Sequence, residues 1–130
     1  MWTDDYIGWP FLEGGRSRAG IDCLGLYLLL SRERLGREIP DLACTRAEAV
    51  RHRLAEAQRA AWQRIAPGAV REGDLVMMRA AGHLAHVGYA IDPEWMLHIE
   101  SAIGSRLERY DLHPTASRVE GIYRYGAACR

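Results

Sequence analysis

The chain has 130 residues, 48% hydrophobic and 26% charged, which suits one domain built on one core. Its formal net charge is +0 at pH 7, which excludes the basic excess of a nucleic-acid binder. Three cysteines, odd in number and far apart, exclude a disulfide scaffold. The five histidines form no His-x-x-x-His site and there is no Cys-x-x-Cys, so neither a metal nor another cofactor is implied. All 17 basic side chains are arginine, which reads first as coding bias.

In chain order, residues Asp4 to Phe11 read as a short helix or turn before the Gly14-Gly15 loop. Asp22 is placed to cap a helix, accepting from backbone N–H groups two or three residues on. That helix runs from Cys23 to about Leu35, with Gly36 as its C′ residue. Leu24, Leu26, Tyr27, Leu28, Leu29 and Leu30 make it apolar nearly all round, so it is expected at the centre of the fold. Thr45-Arg46-Ala47-Glu48 has the form of a capping box. The helix predicted after it carries Val50, Leu54, Ala57, Ala61 and Ile65 on one face and ends at Pro67-Gly68. Its charged face reads as solvated. From Asp74 the period becomes two, with strands expected over 74–79, 85–92, 95–101, 105–111 and 119–125. Helices first and strands afterwards indicate an α+β fold with one antiparallel sheet, and residues 1–130 show no internal boundary.

The chemistry-bearing residue is Cys23, in Gly20-Ile21-Asp22-Cys23-Leu24-Gly25-Leu26, where a glycine-rich loop meets the helix. A helix start presents unpaired N–H groups and the positive end of a dipole. A thiol there is biased toward thiolate, with a pKa that can fall to about 3.5–7.5. Asp22 opposes this with its negative charge. The same N–H groups suit an oxyanion. A thiol nucleophile needs a base, and the base an orienting group. His86 opens one alternating run and His98 lies in the next, with Pro93 and Glu94 forming a tight turn between them. An even antiparallel register puts both imidazoles on one face and an odd register separates them; the sequence allows either. Taken singly, His86 reads as a strand-end histidine and His98 as a satisfied core histidine. Cys44 and Cys129 read as structural or exposed, and His52, His83 and His113 as solvent-facing.

The segment Gly8-Trp9-Pro10-Phe11-Leu12-Glu13-Gly14-Gly15 through Asp22-Cys23-Leu24-Gly25-Leu26 resembles the first motif of the NlpC-like cell-wall peptidases, a papain-like group of cysteine peptidases. Gly73-Asp74-Leu75-Val76, Ala85-His86-Val87-Gly88 and Leu97-His98-Ile99 resemble the later motifs, in the family's order. The resemblance implies a papain-like α+β fold whose central helix bears the nucleophile. It implies Cys23 as nucleophile, His86 as base and His98 as the orienting residue, with Phe11 and Asp22 at the substrate. The substrate it implies is the peptidoglycan stem peptide, cut between D-glutamate and diaminopimelate, with an amidase cut as the alternative. Departures are Glu72 where proline is usual, Leu24 where serine is common, and Phe11 where tyrosine is frequent. The last two, with the frame Asp22-Cys23-Leu24-Gly25-Leu26 and with Gly36-Arg37-Glu38-Ile39-Pro40-Asp41, look like the branch of phage tails and gene transfer agents.

The N-terminal Met1-Trp2-Thr3-Asp4-Asp5 lacks a cationic start, and the apolar run from Cys23 to Leu30 is too short to span a membrane. The partners that the resemblance implies are stem peptides and tail or particle proteins; neither nucleic acid nor membrane insertion is expected. The expected location is a phage-like particle that carries the protein from the cytoplasm to the cell wall. Two other readings stay open: a tail-tip assembly protein, and an injected antibacterial amidase.

Overall fold

The computed structural model describes residues 1–40, 62–80 and 83–126. The long apolar helix, α1, spans Cys23–Leu35. Asp22 is its N-cap and accepts from the Gly25 N–H, as its position predicts. Gly36 closes the helix at φ 64°, a left-handed conformation that glycine tolerates without strain. Its N–H bonds Arg32 C=O, the single bond of an αL closure, and the Arg37 N–H bonds Ser31 C=O. Ahead of α1, a 3-10 turn spans Trp2–Tyr6. A small hairpin of β1 (Arg16–Ser17) and β2 (Gly20–Ile21) shapes the glycine-rich loop. A Cβ on Gly25 would come within 2.5 Å of Gly15 C=O, so this loop packs directly on the first turn of α1 only because Gly25 has no side chain.

The remaining strands are β3 (Trp62–Arg64), β4 (Leu75–Ala80), β5 (His83–Ala90), β6 (Trp95–Glu100), β7 (Gly104–Arg109) and β8 (Val119–Tyr125). They form one antiparallel sheet in the order β3-β8-β4-β5-β6-β7. Leu75, Met77, Val87, Tyr89, Leu97 and Ile99 pack with α1 in the main core. A second apolar cluster holds Val76, Met78, Ala90, Met96 and Ile122, with Ile65, Val70 and Tyr110. This is the expected α+β fold: one helix on a large antiparallel sheet.

Two expectations change. The predicted helix to Ile65 gives way at Trp62–Arg64 to a strand paired with β8; residues 41–61 lie outside the described residues, with Cys44, His52 and the capping box. Trp62 decides it by packing 5.2 Å from Tyr125 and 6.3 Å from Tyr27, a tertiary contact that overrides the i, i+4 pattern. The strand expected over 85–92 stops at Ala90, because Asp92 turns the chain. Its Oδ1 accepts from the N–H groups of Glu94 and Trp95, each at 2.8 Å. That turn sets the pairing of β5 with β6.

Candidate active site

Tyr89 pairs with Leu97 and Ala90 with Met96, so continuing the register sets Gly88 opposite His98. His86 and His98 thus share a face, offset by one pleat. Gly88 makes the room: a Cβ there would lie 2.7 Å from the Met96 sulfur and 3.5 Å from His98 Cβ. His86 pairs with Met78 across β4, just before the ladder slips between Met78 and Arg79. His86 Nε2 lies 2.6 Å from His98 Nδ1, with the rings edge-on at 68° and their centroids 4.9 Å apart. Both histidines are buried.

Cys23 is the first residue of α1 and remains partly open to solvent. The backbone N–H groups of Val87, Leu24 and Cys23 itself converge on its sulfur. Val87 follows His86 in the chain, so this contact brings the sulfur alongside the histidine segment. Burial nevertheless pushes the thiol up to about 11; the N–H donors pull it down, and the Asp22 charge pushes with burial. The thiolate expected from the helix terminus is therefore corrected to a neutral thiol at rest. A sequence displays the helix start but not the desolvation of the sulfur.

Burial also holds the His86 imidazole well below its ordinary range, assisted by the charge of His98. His98 is lowered too, first by burial and then by the Arg106 guanidinium. Both rings are neutral at pH 7, so the 2.9 Å contact from His98 Nε2 to Glu108 Oε1 is a hydrogen bond to a carboxylate rather than an ion pair. Arg106 Nη2 donates at 2.9 Å both to Glu108 Oε1 and to Glu100 Oε1. Thr115 Oγ1 donates to Glu108 Oε2. Burial raises Glu100, but Arg106, the two histidines and Arg118 outweigh it and hold the carboxyl at about 2. His98, Glu100 and Glu108 offer ligand atoms within 4.8 Å of one another. Arg106 bonds both carboxylates there, and that guanidinium supplies the positive charge a metal would bring.

Asp22 is buried. Its Oδ1 accepts from Arg16 and the Gly25 N–H at 2.8 Å each, and its Oδ2 from the Gly14 N–H at 2.9 Å. The carboxylate thereby ties the glycine-rich loop to the helix start below Cys23. Phe11 bridges to Ile21 and is half-buried against the main core. The structure thus gathers His86, His98 and the Cys23 sulfur near one stretch of β5, with Asp22 beneath the cysteine. Glu108 was not singled out from the sequence, although alternation in β7 sets it on the His98 face. His113 is exposed as expected.

A family model described as NlpC/P60 family matches residues 8–119. The chain belongs to the NlpC/P60 family. It is 29% identical over 104 residues to the murein DD-endopeptidase MepS/murein LD-carboxypeptidase of Escherichia coli strain K12, covering 78% of this chain. The chain spans about half the length of such curated relatives, 49% in this case. Among solved structures it resembles the NlpC/p60 domain of the peptidoglycan hydrolase SagA (TM-score 0.64, 19% identity, 94% of this chain and 92% of that one). An NlpC/P60 family protein from Bacillus cereus ATCC 10987 superposes with TM-score 0.69 at 19% identity, over 95% of this chain and 37% of that one. These likenesses show that the NlpC/P60 fold is shared.

Proposed function

We propose that this NlpC/P60 protein is a cysteine peptidase that hydrolyses peptidoglycan stem peptides. The observation that carries the reading is the buried His86–His98 bond of 2.6 Å beside a cysteine whose sulfur accepts from the Val87 N–H. In this reading His86 takes the Cys23 proton as the sulfur attacks the amide carbon, so a thiol neutral at rest is activated only in the transition state. The tetrahedral oxyanion lies at the N–H groups of Cys23 and Leu24. His86 then protonates the leaving amine, which departs and leaves a thioester. Water, deprotonated by His86, hydrolyses the thioester to a carboxylic acid and the free thiol. His98 holds His86, Phe11 borders the substrate, and Asp22 acts through the loop it ties down.

The relative named for murein endopeptidase and carboxypeptidase activity supports murein as the substrate class. The finer choice, the D-glutamyl–diaminopimelate bond, rests on the motif resemblance, as does service in a phage-like tail or gene transfer agent that carries the protein to the wall. Among the described residues no helix is long and apolar enough to cross a membrane. The test is incubation of purified sacculi with the protein and mass analysis of the released muropeptides. Muramidase digestion of the treated sacculi, which cuts the glycan strands, is expected to yield disaccharide fragments whose stems end at D-glutamate. Fragments cut elsewhere would correct the bond, and a complete lack of release would sink the reading.

A further inference from the structure

Every donor and acceptor in the chain Glu108–His98–His86 can be assigned from heavy-atom distances together with the charge each group carries at pH 7. An ionised carboxylate only accepts hydrogen bonds. Glu108 is ionised at neutral pH: burial raises it, but Thr115, His98 and Arg106 outweigh that. The contact between Glu108 Oε1 and His98 Nε2 therefore fixes the His98 proton on Nε2. His98 is neutral, so its Nδ1 is a bare acceptor. His86 Nε2, 2.6 Å away, must then carry the proton and donate it. Neutral His86 is left with a lone pair on Nδ1, the nitrogen free to serve as a base.

We infer that Glu108 is a positioning residue that sets the proton arrangement of both histidines, so that His86 presents an unprotonated Nδ1. It acts through His98 and touches neither thiol nor substrate. Thr115 pins Glu108 Oε2, and Arg106 shares Oε1 and balances the carboxylate charge. The opposite arrangement, with His98 protonated on Nδ1, would set its bare Nε2 against a carboxylate oxygen, two acceptors at 2.9 Å. The acceptor at position 108, rather than its charge, is what this role needs.

The inference rests on the proposed roles of Cys23 and His86, but its first test needs no turnover. Long-range nitrogen-15 NMR on the histidine rings of the intact protein at pH 7 is expected to show both His86 and His98 protonated on Nε2. A His98 protonated on Nδ1 would overturn the inference, whatever the activity. Glu108→Ala is expected to mix the two forms. On a soluble muropeptide it should lower kcat about 10–100-fold, the scale of lost supporting contacts, with KM little changed. Glu108→Gln keeps an oxygen for His98 and Arg106 and should stay within a few-fold of the parent. Should Glu108→Ala fail to fold, Thr115→Val reads the same role, with a smaller kcat loss and the same direction of mixing. Unchanged ring-nitrogen signals in both the Ala and Val variants would overturn it. If the parent protein releases nothing from sacculi, the peptidase reading fails while the NMR result still decides the role of Glu108.

Discussion

Two buried polar networks are built into the same sheet, and they end differently. Asp74, fully buried, accepts from Arg124 Nε and Nη2 at 2.8 Å each, and from the Arg71 N–H at 2.8 Å. Arg124 Nη2 also donates to Ala69 C=O, so this network closes on itself. The second runs from Thr115 and Glu108 through His98 to His86 and stops at a ring nitrogen that the chain of hydrogen bonds leaves as an acceptor. A closed network fixes the position of a strand; an open one stores a proton acceptor in a dry place. Both involve residues of the resemblance motifs, Asp74 in one and His86 with His98 in the other. The motifs hold both kinds of residue, and the two networks differ in whether their hydrogen bonds close or end on an acceptor.

Substitutions should separate the two. His86→Ala removes the proposed base and should lower muropeptide release by about 10²–10⁴-fold. Its unfolding midpoint should move far less than that of an Asp74 variant. Asp74→Ala leaves the half-buried Arg124 guanidinium without its carboxylate, and should cost about 3 kcal/mol in urea denaturation, the lower end for breaking a buried pair. Below the unfolding range, its turnover should stay near that of the parent. A catalytic collapse in Asp74→Ala without destabilisation would break the distinction.

The site was legible where its determinants are local. The Asp22 cap and the Gly36 stop are single-residue signals, and both hold. The shared face of His86 and His98 was not legible, since parity depends on how Asp92 turns the chain and on the room that Gly88 leaves. Glu108 was hidden in Arg106-Leu107-Glu108-Arg109, because its partners His98 and Thr115 lie on other elements. Trp62 was read as part of a helix because its partners Tyr27 and Tyr125 are distant in sequence. The raised thiol was missed because desolvation belongs to the folded core.

Smaller effects sharpen the comparison. Asp22→Ala removes a cap and a loop clamp and should cost about 2 kcal/mol, the upper end for helix N-caps. Turnover should fall with it, since the loop under Cys23 loosens, and proteolysis of the glycine-rich segment would report the loosening. The smallest shift expected near neutrality is with pH. His86 and His98 are held neutral in the fold, below their ordinary value of 6.5. The unfolded chain binds protons there first as pH falls, so stability drops below about pH 6.5 and keeps dropping toward the folded-state values. Between pH 7.5 and 5.5 the urea midpoint should decline, and a His86→Gln, His98→Gln pair should remove most of that slope. Glu100 and Glu108, both lowered in the fold, add their own loss only below about pH 4.5. A slope unchanged by the double substitution would mean that the open network is not buried neutral.

The most direct measurement compares the parent protein and Cys23→Ser on purified sacculi, with the unfolding midpoint of each recorded alongside. The substitution is nearly isosteric at a helix start, so the midpoints should agree closely. Muropeptide release should fall by about 10⁴–10⁶-fold, the scale on which removing a catalytic nucleophile acts. Equal release from two equally folded proteins would contradict the account, and would make the open network another anchor like the closed one.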